Sequence, residues 1–120
     1  MKPRIHVLTL AVDDLERSHA FYRALGLPSS GIVGYEHVGD AENAAGAIAL
    51  FQLDGGFFLC LYPRTELAKD AKVALSSTGS GEFSIGHPVA TREEVDDILS
   101  AAQEAGATVT DPPHERPWGI

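Results

Sequence analysis

The sequence predicts an α+β domain assembled from two halves of the β-α-β type. Three observations lead there. The apolar spacing changes from a two-residue to a helical period directly after Val12, the same succession of signals returns from Glu82 onward, and two apolar runs are joined by Asp54-Gly55-Gly56.

Ile5 to Val12 has the length and β-branched content of a strand, with Leu8, Leu10 and Val12 on one face and Val7, Thr9 and Ala11 on the other. Asp13-Asp14 offers a helix N-cap, Leu15, Phe21, Tyr22 and Leu25 follow at helical spacing, and Gly26 with Pro28 gives a stop. The Gly-rich, polar stretch "PSSGIVGYEHVGDAENAAG" is expected to be a long loop with a short strand around 32–36. "AIALFQL" and "FFLCLYP" flank Asp-Gly-Gly and predict a hairpin. "SSTGSGE" reads as a linker, placing a first module at about 1–76, a linker at about 76–81 and a second module at about 82–120 within a single domain.

The second module begins with a strand over 82–90. Thr91, with Glu94 three residues on, fits a capping box; Val95, Ile98, Leu99, Ala102 and Ala105 form one helical face, and Gly106 ends it. A short strand is expected at Thr108–Val109. The acidic clusters Asp13-Asp14 and Glu93-Glu94-Asp96-Asp97 serve as caps and helix-dipole partners.

Length and composition narrow the function. A chain of 120 residues with 44% hydrophobic content builds one real core. A formal net charge of -8 argues against nucleic acid and anionic membrane surfaces as partners. A lone Cys60 gives neither a disulfide within the chain nor a thiolate cluster, which points to a reducing compartment. The apolar run "IHVLTLAV" carries His6 and Thr9, stops at Asp13 and has no cleavage pattern after it, so export is rejected. No stretch approaches the ~20 apolar residues of a membrane span. The expectation is a cytoplasmic protein.

The stretch "VLTLAVDDLERSHAFYRALGLP", continued in order by "FQLDGGFFLCLYPR" and "GHPVATREEVDDILSAAQEAGATVTDPP", resembles the vicinal oxygen chelate superfamily, which includes glyoxalase I, extradiol dioxygenases and bleomycin-resistance proteins. The glyoxalase-like members are most similar. The resemblance implies paired βαβββ modules curled around a shared cavity, commonly completed by dimerisation, with the second module here lacking its terminal hairpin. It also implies a divalent metal held by two strand-start His and two carboxylates, positions that fall in this chain on Val7, Ser84, Cys60 and a terminal Asp-Pro-Asp-Gly type hairpin that the sequence lacks. None supplies the expected ligand. No cofactor is therefore predicted, a divalent metal staying open without its usual ligand positions, and glyoxalase I activity is not expected.

Individual candidates are weighed against simpler roles. His6 and His87 share a face with Leu8, Leu10, Phe83, Ile85 and Val89, which should pack on the helices; both are read as structural histidines. His19 is expected to be exposed, His37 lies in the loop, and Cys60 is read as a small buried hydrophobe. His114-Glu115-Arg116 sits between prolines and reads as an exposed turn rather than a catalytic trio. What remains is the inward face, with Val7, Thr9, Phe58, Cys60, Tyr62 and Ser84 as ligand-binding candidates and Tyr35 and Trp118 on flanking segments. The same side chains could equally fill a core.

Three functions are consistent with this reading. The first is a glyoxalase-like protein without the usual metal ligands that, as a homodimer, binds an apolar or aromatic small molecule in the manner of the bleomycin-resistance proteins. The second is a lactoylglutathione lyase-like or dioxygenase-like enzyme with a displaced metal site drawn from His6, His87, His37 or His114. The third is a subunit whose open sheet is completed by a partner or second copy.

Overall fold

A computed structural model describes residues 1–74 and 83–117. The expected linker at 76–81 and Trp118 lie outside the described residues.

Elements follow in the order β1 (Val7–Val12), α1 (Leu15–Ala24), β2 (Ser29–Val33), β3 (Ile48–Leu53), β4 (Phe57–Pro63), α2 (Arg64–Ala71), β5 (Phe83–Gly86) and α3 (Arg92–Glu104). The strands form one sheet in the order β2-β3-β4-β1-β5. β1 runs parallel to β4, with Thr9 beside Cys60, and antiparallel to β5, with Thr9 opposite Ser84. The β3–β4 hairpin is as expected, its turn carried by Gly55 and Gly56 at φ 81° and 77°, a region that side chains other than glycine rarely enter.

Strand alternation decides what each face does. Ala49, Phe51, Leu59 and Leu61 make the buried centre, with Leu8, Leu10, Val12, Leu15, Tyr22, Leu27, Ile32 and Leu53 packed against it. Helix α1 closes this side. Asp14 caps it by accepting from the Arg17 amide at 3.1 Å, and its inward stripe is Leu15, His19 and Tyr22. His19 is thus not exposed as expected: its ring lies 5.5 Å from that of Phe51 and its Nε2 is 2.9 Å from the Ser29 hydroxyl. Phe21 and Leu25, which shared the predicted apolar face, are exposed instead.

Other boundaries shift for local reasons. The strand expected near 32–36 forms earlier, at Ser29–Val33, because Gly34 turns the chain with φ 85° and packs against Gly46; a Cβ at Gly34 would sit 2.1 Å from the Gly46 carbonyl oxygen. β5 ends at Gly86, short of the expected 90, since Pro88 has no amide to continue the ladder. No strand forms at Thr108–Val109, which has no neighbouring strand among the described residues; Ala107 instead donates its amide to the Ala102 carbonyl at 2.9 Å, and the Thr110 hydroxyl bonds the Ala71 carbonyl at 2.7 Å.

Helix α2 was not foreseen. It is short and buries only Leu67 and Ala68, too weak an amphipathic signal beside the neighbouring linker, and Lys72 at φ 57° ends it. Helix α3 forms as read, with Thr91 accepting from the Glu94 amide at 3.2 Å, although the Glu94 carboxylate faces the Thr91 hydroxyl rather than its backbone amide. Its apolar face is not packed into a core: no α3 residue is buried, and Phe83 and Ile85, expected to lie under helices, are 63% and 56% exposed.

Candidate functional site

The residues that the alternation singled out meet on the sheet face opposite α1. Val7 lies beside Phe58, Thr9 beside Cys60 and across from Ser84, and Ala11 beside Tyr62. Leu50 and Gln52 of β3 extend the same rows. The face divides in two. Thr9, Cys60 and Tyr62 are buried, whereas Val7 and Phe58, at the end nearer the start of β1, and Ser84, on the edge strand opposite Thr9, remain half-exposed.

A cover explains the buried half. Helix α2 turns back against β4 and β1, and the 34–47 loop is tied to it. The Tyr62 hydroxyl donates to the Ala45 carbonyl, and the Ala45 amide donates to Glu66 at 2.9 Å. Lys69 reaches both the Glu66 carboxylate, at 3.2 Å, and the Asp40 carbonyl, at 2.8 Å. From the other side Arg116 grips both Asp70 oxygens at 2.9 Å. Both bonds come from one guanidinium nitrogen, Nη1, which straddles the carboxylate.

The electrostatics follow from that cover. Burial pushes the Tyr62 phenol well above its usual range, reinforced by the negative charges of Asp70 and Glu66 and only partly offset by Arg116. Burial likewise raises the Cys60 thiol, a hydrogen bond with Thr9 working the other way. Both groups are therefore neutral near pH 7, and Cys60 is a poor nucleophile. Burial also works to raise Glu66, but bonds from Ala45, Thr65 and Lys69 outweigh it and hold the carboxylate below its ordinary value.

Candidates elsewhere go separate ways. Tyr35 is exposed, its hydroxyl 3.5 Å from Glu16. His37 is half-buried in the loop, 3.6 Å from Glu36. The trio 114–116 diverges: His114 bonds Asp111 at 2.7 Å, Glu115 pairs closely with Arg92, and Arg116 goes to Asp70. Arg116, missed by the turn reading, is half-buried and structural. Hydrogen bonding of the imidazole to the Glu115 carbonyl, and to Asp111, raises the His114 pKa above its ordinary value.

His6 and His87 do meet. The His6 backbone continues the ladder, its amide bonding the Gly86 carbonyl at 3.2 Å and its carbonyl the Phe58 amide at 2.7 Å. The two rings lie 6.0 Å apart, tilted by 52°. His87 Nδ1 is 2.9 Å from the Arg4 carbonyl, and His6 Nδ1 is buried without a hydrogen-bond partner among the described residues. An unmet buried nitrogen of this type costs roughly 1–3 kcal/mol. Beside His87 opens a cavity of about 400 Å³, bounded by the N-terminal segment, Pro88 and the Glu94, Asp97 and Ile98 side chains of α3.

Among the described residues no three His, Cys, Asp or Glu side chains gather closely enough to hold a metal ion. Val7, Ser84 and Cys60 offer no imidazole or carboxylate on the sheet face, so the residues there do not fit the metal centre that the resemblance implies.

One mixed sheet, a parallel β1–β4 core pair and a second strand-helix unit joined antiparallel to β1 define a βαβββ-type α+β protein. A sequence model of the Glyoxalase/Bleomycin resistance protein/Dioxygenase superfamily matches residues 4–119, and the chain belongs to that superfamily. Two solved structures are similar. A glyoxalase/bleomycin resistance protein/dioxygenase from Nocardioides is 22% identical with a TM-score of 0.46, over 98% of this chain and 72% of that one. The hypothetical protein SA1046 from S. aureus is 22% identical with a TM-score of 0.44, over 98% and 80%. No curated protein matches the chain. Among the described residues no helix is long and apolar enough to cross a membrane.

Proposed function

We propose that this superfamily member binds an apolar or aromatic small molecule at the half-exposed end of the sheet face, without a metal at the family's usual positions. The observation that carries this reading is the chemistry of that face: an aromatic ring at Phe58, an aliphatic wall at Val7 and a hydroxyl at Ser84, with no charged group among the rows. Apolar walls with one or two polar groups are how small-molecule sites are composed. Thr9, Cys60 and Tyr62 continue the same face beneath the cover of α2 and the 34–47 loop.

A panel of aromatic metabolites and drugs, screened by thermal shift, tests the proposal. A ligand that stabilises the protein should lose its effect in Phe58→Ala and Ser84→Tyr while still stabilising Tyr35→Ala less strongly changed. Stabilisation that survives both face substitutions refutes this location.

The protein is further proposed to act as a homodimer. Phe83 and Ile85 are largely exposed on β5, whose outer edge has no paired strand among the described residues, and such edges are normally covered. A strictly monomeric mass at high concentration refutes it.

A further inference from the structure

We infer that residues 110–116 are a strap that latches helix α2 over the inner half of the sheet face, and that α2 lifts from Thr9, Cys60 and Tyr62 when the strap releases. The latch stands or falls without any ligand. Only its consequence, a small-molecule face enlarged by those three residues, rests on the proposed function.

Helix α2 does not hold this place by itself. At 8 residues it is below the roughly 12–15 at which an isolated helix becomes even marginal in water, its cap residue Pro63 supplies no side-chain bond, and it buries only Leu67 and Ala68. Its two ends are fixed differently. The first continues directly from β4, and Arg64 bonds Asp13, just past the end of β1, at 3.1 Å. The far end depends on the strap. The Thr110 hydroxyl donates to the Ala71 carbonyl at 2.7 Å, meeting one of the last-turn carbonyls that a helix leaves without an internal partner, and Arg116 Nη1 reaches both Asp70 oxygens at 2.9 Å. The result is a hinge at one end and a catch at the other.

The strap itself is stiff. Asp111 and His114 bond each other at 2.7 Å, and Pro112 and Pro113 between them have fixed φ, so little backbone freedom is lost when the segment docks. Glu115 pairs with Arg92 at the start of α3, which holds the strap from its other side. Beneath α2, Cys60 lies beside Thr9 and Thr9 lies opposite half-exposed Ser84, so the covered row runs on into the open face.

Thiol labelling of Cys60 in the full-length chain tests this with two reagents, small iodoacetamide and bulky aromatic pyrene maleimide, beside hydrogen exchange of the β3 amides. Arg116→Gln and Thr110→Val should each speed labelling by both reagents roughly 5-fold or more while β3 exchange keeps its wild-type rate, because lifting α2 leaves the buried centre closed. Arg116→Lys, which keeps a cationic nitrogen for Asp70, should label more slowly than Arg116→Gln. Should Arg116→Gln fail to fold, Thr110→Val decides by the same criteria. Unchanged labelling in these variants overturns the latch. So does a rise in β3 exchange by the same factor as Cys60 labelling, which marks global unfolding, or acceleration confined to iodoacetamide, which marks an opening too small to be a lifted helix.

Discussion

The cover over Thr9, Cys60 and Tyr62 can be loosened by one atom. Tyr62→Phe removes the hydroxyl that bonds the Ala45 carbonyl and leaves that partly buried oxygen unpaired. A net hydrogen bond contributes ~1 kcal/mol and an unmet acceptor adds to the loss, so roughly 1.5 kcal/mol is expected for the pair. In a domain of this size that lowers the midpoint of thermal unfolding by about 5–8 °C. Cys60 supplies a local reporter, because it is 3% exposed and lies beside Thr9 on the covered face. If a thiol reagent reaches it only when α2 and the loop lift, its labelling rate follows the opening equilibrium. Every 1.4 kcal/mol is tenfold, so Tyr62→Phe should label about ten times faster than wild type under native conditions. Glu66→Ala, which frees the Ala45 amide and Lys69, should move in the same direction. Two results refute the reasoning: wild-type Cys60 reacting as fast as a free thiol, or a Tyr62→Phe rate equal to wild type in protein shown to be less stable.

Four further outcomes are expected. Phe51→Ala, which empties a fully buried ring site, should cost about 3–5 kcal/mol in denaturant unfolding; a loss below 1 kcal/mol contradicts its central place. Gly34→Ala combines a positive φ with a clash on the Gly46 carbonyl and should cost at least ~2 kcal/mol, whereas Ala at Gly26, with open space around it, pays only the conformational part. Asp40, held by the Asn43 side chain and the Asn43 and Glu42 amides, has its carboxyl lowered from 3.8 to about 2; a depressed acid stabilises above its unfolded value and loses that contribution as pH falls, so the Glu42 and Asn43 amides should lose exchange protection between about pH 4 and 2, and protection that is flat across this window counts against the turn. Phe83→Asp with Ile85→Asp should shift any dimer seen by sedimentation to monomer without lowering the stability of the monomer; a dimer that persists places its interface elsewhere.

The strands were legible because period-two alternation is a local signal. Val7, Thr9, Cys60 and Ser84 fall on one face in the structure as they do on paper, since each register step is fixed by the same pleat. Caps were legible for the same reason: Asp14 and Thr91 each accept from an amide three residues on. What escaped depends on distant partners. His19 reads as a polar residue on a helix surface, but it occupies the stripe between Leu15 and Tyr22, and only the Phe51 ring across the sheet makes that position interior. That stripe spacing was the available signal. The Tyr62–Ala45 and Arg116–Asp70 ties span 17 and 46 residues and leave no periodic trace. Helix α3 illustrates the converse: its amphipathic pattern is strong, yet a pattern predicts a face, not what covers it.

The position of β1 between β4 and β5 has a consequence for biosynthesis. Both of its neighbours are made later, the nearer one beginning at Phe57. At the ribosome's pace of roughly 5–20 residues per second, the segment Val7–Val12 waits ~2–9 s for its parallel mate. During that interval its apolar face is an unpaired strand in a nascent chain, while the β3–β4 hairpin, joined by three residues, can close on its own as soon as it emerges. β1 is therefore inserted beside a partner formed after it, so the parallel β1–β4 pair closes only once the hairpin has been made.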